Sequence, residues 1–145
     1  FIQDEFNLLR IDPIKRFKNF RNILAARSIL ANGILTDGFN KKSVYSKNDH
    51  RNSWLKGERK KNIFMQKEIL KKLSKDDITQ FSMNFVMSYK MFDKYIFGFR
   101  TQSQFECFLR NIKNLKPLTQ KTIKKIISLH KNDKFFLNKK LRYNN

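Results

Sequence analysis

DDITQFSMNFVMSYKMFDKYIF, residues 76–97, is the stretch on which the fold turns. Asp76 and Asp77 stand where a helix start favours acids, through capping and the helix dipole. Ile78, Phe81, Phe85, Tyr89, Phe92 and Ile96 then step by three or four residues, and Met83, Met87 and Met91 form a second row. Apolar residues at that period mark a helix, and two rows make most of its circumference apolar. The stretch predicts a central core helix over 76–97.

On the C-terminal side, Ser103 with Glu106 three residues on reads as a capping box. It opens a helix over 103–115 that carries Phe105, Phe108, Leu109, Ile112 and Leu115 and stops before Pro117. A further helix over 118–130 uses Leu118, Ile123, Ile126, Ile127 and Leu129, and exposes Lys121, Lys124, Lys125 and Lys131. On the N-terminal side, Asp12-Pro13 supplies an N-cap acid and a proline at the first helical position. Ile14, Phe17, Phe20, Leu24 and Ala31 follow at helical spacing until Asn32-Gly33, predicting a helix over 13–31 whose other face bears Lys15, Arg16, Lys18, Arg21 and Arg27.

Periodicity lapses over 33–53, where Asp37-Gly38, Asn40, Ser43, Asn48, Asp49 and Asn52 read as a long basic loop, of a length usually functional or disordered. Short strands at Ile34-Leu35 and Val44-Tyr45 around the Asp37-Gly38 turn are compatible with it. Ser53 then caps a helix over 54–73 with Ile63, Phe64, Ile69, Leu70 and Leu73 apolar, weakened in its first turn by Gly57. Residues 131–145 form a basic tail. The expected fold is all-α: one small domain of about five helices with a basic loop and a basic C-terminal tail.

Charge is divided unevenly along this frame. Residues 1–75 carry 18 Lys/Arg against 7 Asp/Glu, residues 76–110 carry 4 against 4, and residues 111–145 carry 10 against 1, for a net +20. A solvated surface accounts for a net charge of about 8, so this excess implies a polyanionic partner. Lys outnumbers Arg 23 to 9, which favours phosphate neutralisation over bidentate reading of bases. Lys, Asn, Ile and Phe make up 67 of the 145 residues, the signature of an A/T-rich genome. Asn would satisfy that bias without charge, so the charge still needs a partner.

Several chemistries are excluded. Cys107 is the only cysteine, read here as a small apolar core residue, so neither a disulfide framework nor a thiolate metal site is expected. His50 and His130 lie far apart with no second ligand at metal spacing. No phosphate-cradling glycine loop is present, and Asp76 with Asp77 is explained by capping, so no catalytic residue, cofactor or small-molecule substrate is expected. The richest apolar run, Phe81 to Phe99, is broken by Lys90, Asp93 and Lys94, so no transmembrane segment is expected. A chain starting at Phe1, with Asp4 and Glu5 where a signal peptide would be basic, is compatible with a removed mitochondrial presequence.

Phosphate contacts are expected at four places. The helix over 13–31 offers Lys15, Arg16, Lys18 and Arg21. The segment from Lys41 to Lys61 joins Lys41, Lys42, Lys47, Arg51, Lys56, Arg59, Lys60 and Lys61 with Tyr45, His50 and the only tryptophan, Trp54. Aromatics among cations suit stacking on unpaired bases while lysines neutralise phosphates, although Trp54 serves equally well as an anchor to the core. Lys121, Lys124 and Lys125 form a third group, with only Gln120 beside them to read a base edge. Lys139, Lys140 and Arg142 in the tail are the fourth, in a segment composed to order on its partner.

Taken together, these features resemble those of an organellar, specifically mitochondrial, ribosomal protein. Ile34-Leu35-Thr36 followed by Ser43-Val44-Tyr45-Ser46-Lys47 is also reminiscent of the loop of the fourteenth small-subunit ribosomal protein family, whose Cys and Arg-rich run this chain lacks. The resemblance implies a structural constituent of a mitochondrial ribosome in the matrix, with no enzymatic activity. Such a protein binds ribosomal RNA through phosphate and shape contacts and packs on neighbouring ribosomal proteins. A DNA-binding or nucleoid protein, and a matrix-side accessory subunit of a membrane complex, stay open as alternatives.

Overall fold

Residues 76–97 are not one helix. In a computed structural model, which describes residues 1–132, the stretch folds as a helix, a turn and a strand. The elements in order are β1 (Ile2–Glu5), α1 (Pro13–Arg16), β2 (Leu24–Arg27), a 3₁₀ turn (Ala31–Gly33), α2 (Arg51–Trp54), α3 (Gly57–Lys71), α4 (Ile78–Met87), β3 (Lys94–Tyr95), α5 (Gln102–Lys113) and α6 (Gln120–Lys131). The three strands form a parallel sheet in the order β1-β2-β3, which corrects the all-α expectation.

The helix α4 begins as the sequence implies, with the Asp77 carboxylate accepting from the Gln80 N–H at 2.9 Å. It ends at Ser88, whose Oγ donates to the Asn84 carbonyl at 2.6 Å while its N–H is shared between the Asn84 and Phe85 carbonyls. Beyond it the apolar steps continue at helical spacing while the backbone does not. Phe92 turns inward onto Phe6, ring centroids 4.7 Å apart, and the chain then pairs with β2. The Asp93 N–H donates to the Leu24 carbonyl at 2.9 Å and the Ile96 N–H to the Ala26 carbonyl at 2.8 Å.

A second misreading has the same cause. The expected helix over 13–31 is one turn, α1, followed by β2. Leu24, Ala25 and Ala26 are all fully buried. A short apolar run covered on both faces has no period and is indistinguishable from a buried helical segment. The registers Ile2↔Leu24 to Glu5↔Arg27 and Ala25↔Lys94, Ala26↔Tyr95 join residues distant in the chain, as parallel pairing requires.

The core lies between the sheet and α3 and α4. Phe6, Phe81, Phe85, Ile63, Leu70 and Ile78 are fully buried within it. The segment 33–50 contains no strand; its backbone is fixed from α3, where buried Lys67 donates its Nζ to the Thr36 carbonyl at 2.6 Å and to the Phe39 carbonyl. Burial pushes the Lys67 ammonium below its usual range. Ser53 lies within α2 instead of capping α3, whose N-cap is Lys56. The Thr101 side chain, not Ser103, caps α5. That helix buries none of its residues: Phe105, Leu109 and Ile112 stay 42–44 % exposed beside the edge strand β3, and Cys107 is exposed, not core. Among the described residues no helix is long and apolar enough to cross a membrane.

Candidate functional site

The three strands run the same way, so Glu5, Arg27 and Tyr95 end on one edge of the sheet, where the loops leading to the next helices gather. After Arg27 the backbone turns sharply: Ser28, Ala31 and Asn32, none of them glycine, hold φ of 53°, 48° and 56°, and Gly33 follows at 86°. Each left-handed side chain costs about 1–2 kcal/mol, so the surroundings must hold the turn. Asn7 Nδ2 donates to the Ser28 carbonyl at 3.0 Å, and Arg51 Nη1 to the Asn32 carbonyl at 3.0 Å.

A cleft of about 960 Å³ opens at this edge. Its walls are the segment after β2 with Arg27, Ser28 and Asn32, the segment after β3 from Ile96 to Arg100, His50 and Arg51, and Gln104, Cys107 and Asn111 on α5. Helices that follow parallel strands start at the strands' C-terminal edge, and α4 and α5 both do so here: Asp77, the N-cap of α4, lines the cleft, and Thr101, the N-cap of α5, follows directly on Arg100. Two backbone N–H groups at the start of α5, Gln102 and Ser103, have no acceptor among the described residues, while Gln104 N–H is taken by Thr101 Oγ1 and Arg100 N–H by Gln104 Oε1. Free N–H groups at a helix start, with the helix dipole behind them, favour an anion.

Asp49 organises the cations. Its buried carboxylate takes Arg51 Nε at 2.9 Å and Nη2 at 2.6 Å as a bidentate pair, and Arg100 Nη1 at 2.8 Å. Arg51 also covers the Tyr45 ring at 3.8 Å. The bonds from Arg51, then from Arg100, hold the Asp49 carboxyl well below the usual carboxylate range, and the same pairing raises Arg51. Asp49 thereby ties the loop ahead of α2 to the loop ahead of α5. Across the sheet edge, Glu5 takes Arg27 Nη1 at 2.8 Å and Arg10 Nη1 at 3.4 Å.

The Asp49 tie has a defined pH signature. Because its carboxyl is lowered in the folded state, the unfolded chain holds the proton more tightly, and the stabilisation is complete wherever an unfolded carboxyl, at about 3.9, is ionised. It is lost only as pH falls toward the lower folded value. Urea unfolding of wild type and Asp49→Asn should therefore show a constant stability gap from about pH 7 to 5 that narrows below about pH 4. A gap that closes between pH 7 and 5 contradicts the assignment.

No family model matches the sequence, and no curated protein does. Solved structures do match. The glycerol dehydrogenase of Gluconobacter oxydans superposes with a TM-score of 0.71 at 18% identity over 88% of this chain and 41% of that one. An aldo-keto reductase of Bacillus halodurans, in its holo form, superposes with a TM-score of 0.60 at 12% identity over 86% and 41%. The chain folds like part of each of these two structures. The chain spans 41% of the length of either barrel, and at these identities the likeness concerns the fold alone. Both neighbours are enzymes by name, which counts against the expectation of no enzymatic activity. In barrels of parallel strands the functional edge is the C-terminal one, where this cleft lies.

The expected phosphate contacts distribute around this barrel segment as follows. Arg51 alone among them lines the cleft. Arg16 is taken up by Asp4 and Asp12, while Lys15, Lys18 and Arg21 are exposed on and after α1. The loop and α3 do come together: Lys60 Nζ donates to the Ser43 carbonyl at 2.6 Å and Lys41 sits over the Phe64 ring at 5.5 Å. Lys42, Lys47 and Lys56 are exposed, Arg59 is half-buried, and Lys61 pairs with Glu58. Trp54 is half-buried against the core with His50 beside it at 6.4 Å, the anchoring role. Lys121, Lys124 and Lys125 are exposed on α6. Lys139, Lys140 and Arg142 lie outside the described residues.

Asp49, Arg100 and the start of α5 were not legible as a site. Their signal was Gly98-Phe99-Arg100-Thr101 with Gln104 three residues on, a strand-to-helix junction once Tyr95-Ile96-Phe97 is read as extended.

Proposed function

We propose that this chain supplies the cofactor-phosphate side of an oxidoreductase built on an aldo-keto reductase type of barrel. The observation that carries the reading is the cleft at the C-terminal edge of a parallel sheet, lined by Arg100 just ahead of α5 and by Gln104 in its first turn. In barrels of parallel strands, active sites and phosphate sites lie at this C-terminal edge. Reductases and dehydrogenases exchange hydride with a diffusible carrier, and a nicotinamide dinucleotide supplies that chemistry when bound.

The residues present fit such a group. Arg100 gives Asp49 one bond and keeps its remaining donors for a second anion. Gly98 has open space where a side chain would stand, so backbone can approach a ligand there. Arg51, fixed by Asp49 and the Asn32 carbonyl, holds the strained turn after β2 in place as the opposite wall. Proton transfer is not assigned to this segment: Asp49 is engaged by two arginines, and burial raises the Tyr45 hydroxyl above its usual range. Titrating the full chain with NAD⁺ and NADP⁺ by calorimetry should give saturable binding, tighter than about 1 mM for at least one of them. Absence of binding for both sinks the reading.

The ribosomal reading keeps one observation in its favour, the charge of +20. Its test is the particle with which the native protein sediments: co-migration with ribosomal subunits supports it, and their absence from its fractions removes it.

A further inference from the structure

We infer that the outer face of α6 is a second binding surface, separate from the cleft, for the phosphodiester backbone of a nucleic acid. The inference rests on how charge is balanced along the fold. In the first hundred residues part of the cations meet carboxylates: Glu5 takes Arg10 and Arg27, Asp49 takes Arg51 and Arg100, and Lys61 and Lys71 pair with Glu58 and Asp37, while Lys15, Lys18 and Lys42 are exposed with no ion pair among the described residues. From Cys107 to Asn132 the sequence has seven Lys/Arg and no Asp or Glu. Lys121, Lys124 and Lys125 are exposed and have no carboxylate partner among the described residues.

The helix is fixed so that these lysines share one side. Ile123 and Ile126 are buried, and His130 Nε2 bonds the Leu8 carbonyl at 2.8 Å, which locks the rotation of α6 about its axis. At 100° per residue, Lys121, Lys124, Lys125 and Ser128 fall opposite that buried side. Lysines three and four apart repel one another, and Lys121 in the first turn also opposes the helix dipole. A helix that keeps such a stripe without internal counter-ions is balanced from outside.

Charge chemistry selects the partner. A membrane-surface helix needs its apolar side free for lipid, and here that side is spent on the protein core. Lysine without flanking Arg, Asn or exposed aromatics neutralises phosphates without reading bases, so the contact is with backbone and carries no sequence preference.

The experiment is fluorescence anisotropy of the full chain with a labelled mixed-sequence RNA of about 20 nucleotides, over a salt series. Wild type should bind in the micromolar range at low salt, with log K falling linearly in log salt. Replacing Lys121, Lys124 and Lys125 together by Gln should weaken binding at least about tenfold and flatten the salt slope by about 2, at about 0.7 per lost single-strand phosphate contact. The Arg triple should retain both. The Gln substitutions relieve repulsion at exposed positions, and Lys125→Gln alone gives a graded version of the same readout. Unchanged affinity and slope in the Gln triple overturn the inference, as does tighter binding to anionic phosphatidylserine vesicles than to RNA. Dinucleotide binding in the cleft should be the same in all these variants, so the failure of either reading is visible separately.

Discussion

Phe85→Ala should destabilise the protein by about 3–5 kcal/mol, enough to lower its melting temperature by roughly 10–20 °C. Phe85 is fully buried on α4, and its ring lies 5.3 Å from that of Phe6 and 5.3 Å from that of Tyr89. Phe6 in turn meets Phe92 at 4.7 Å. Four rings from the end of β1, from α4 and from the turn before β3 thus meet at one point. Truncating Phe85 opens a cavity beside Phe6 and Tyr89 that these packed neighbours cannot collapse to fill. A total stability of about 5–15 kcal/mol leaves little after such a loss. Phe85→Leu, which keeps most of the volume, should cost under about half as much. Thermal unfolding by circular dichroism measures both. A loss below about 1 kcal/mol for the alanine variant would mean that α4 does not pack on the end of β1 as described.

The same cluster shows why the core was legible and the topology was not. Ile78, Phe81 and Phe85 are core residues on either reading, because burial follows apolarity whatever the backbone does. The break at Ser88 is made by hydrogen bonds to Asn84, and Ser is not a strong enough breaker to show against an apolar step that runs on through Tyr89, Phe92 and Ile96. The strands failed for a related reason. β1 reads Ile-Gln-Asp-Glu, with little β propensity, and becomes a strand because β2, about twenty residues later, pairs with it. Parallel pairing leaves no local turn to read. By contrast α6, expected over 118–130, falls within two residues of its place, since both its faces are local, with Ile123 and Ile126 inside and the lysines outside; its cap, Thr119, was not singled out. The outer cations could be read from composition, whereas the cleft could not, because Asp49 and Arg100 meet only once β3 is placed.

Arg100→Glu should abolish the proposed dinucleotide binding, by about a hundredfold or more, and leave the fold nearly unchanged. The hundredfold figure corresponds to about 2.8 kcal/mol, the scale of one charge-assisted hydrogen bond lost and one repulsion gained. The Arg100 side chain is 59% exposed, so its replacement opens no cavity. A carboxylate one residue before the Thr101 cap is favoured by the α5 dipole, which offsets the loss of the Asp49 contact. Asp49 keeps its bidentate partner Arg51, and with it the turn at Asn32. Affinity and stability should therefore separate in this variant. In Arg51→Ala they should fall together, because the same guanidinium braces the cleft wall and neutralises a buried carboxylate. Calorimetric titration with the dinucleotide and a melting curve on each variant suffice. If Arg100→Glu binds as wild type does, the start of α5 is not where the phosphate sits. If it unfolds instead, the tie from Asp49 to Arg100 is structural, and α5 is held to the barrel segment by charge in place of the apolar burial it lacks.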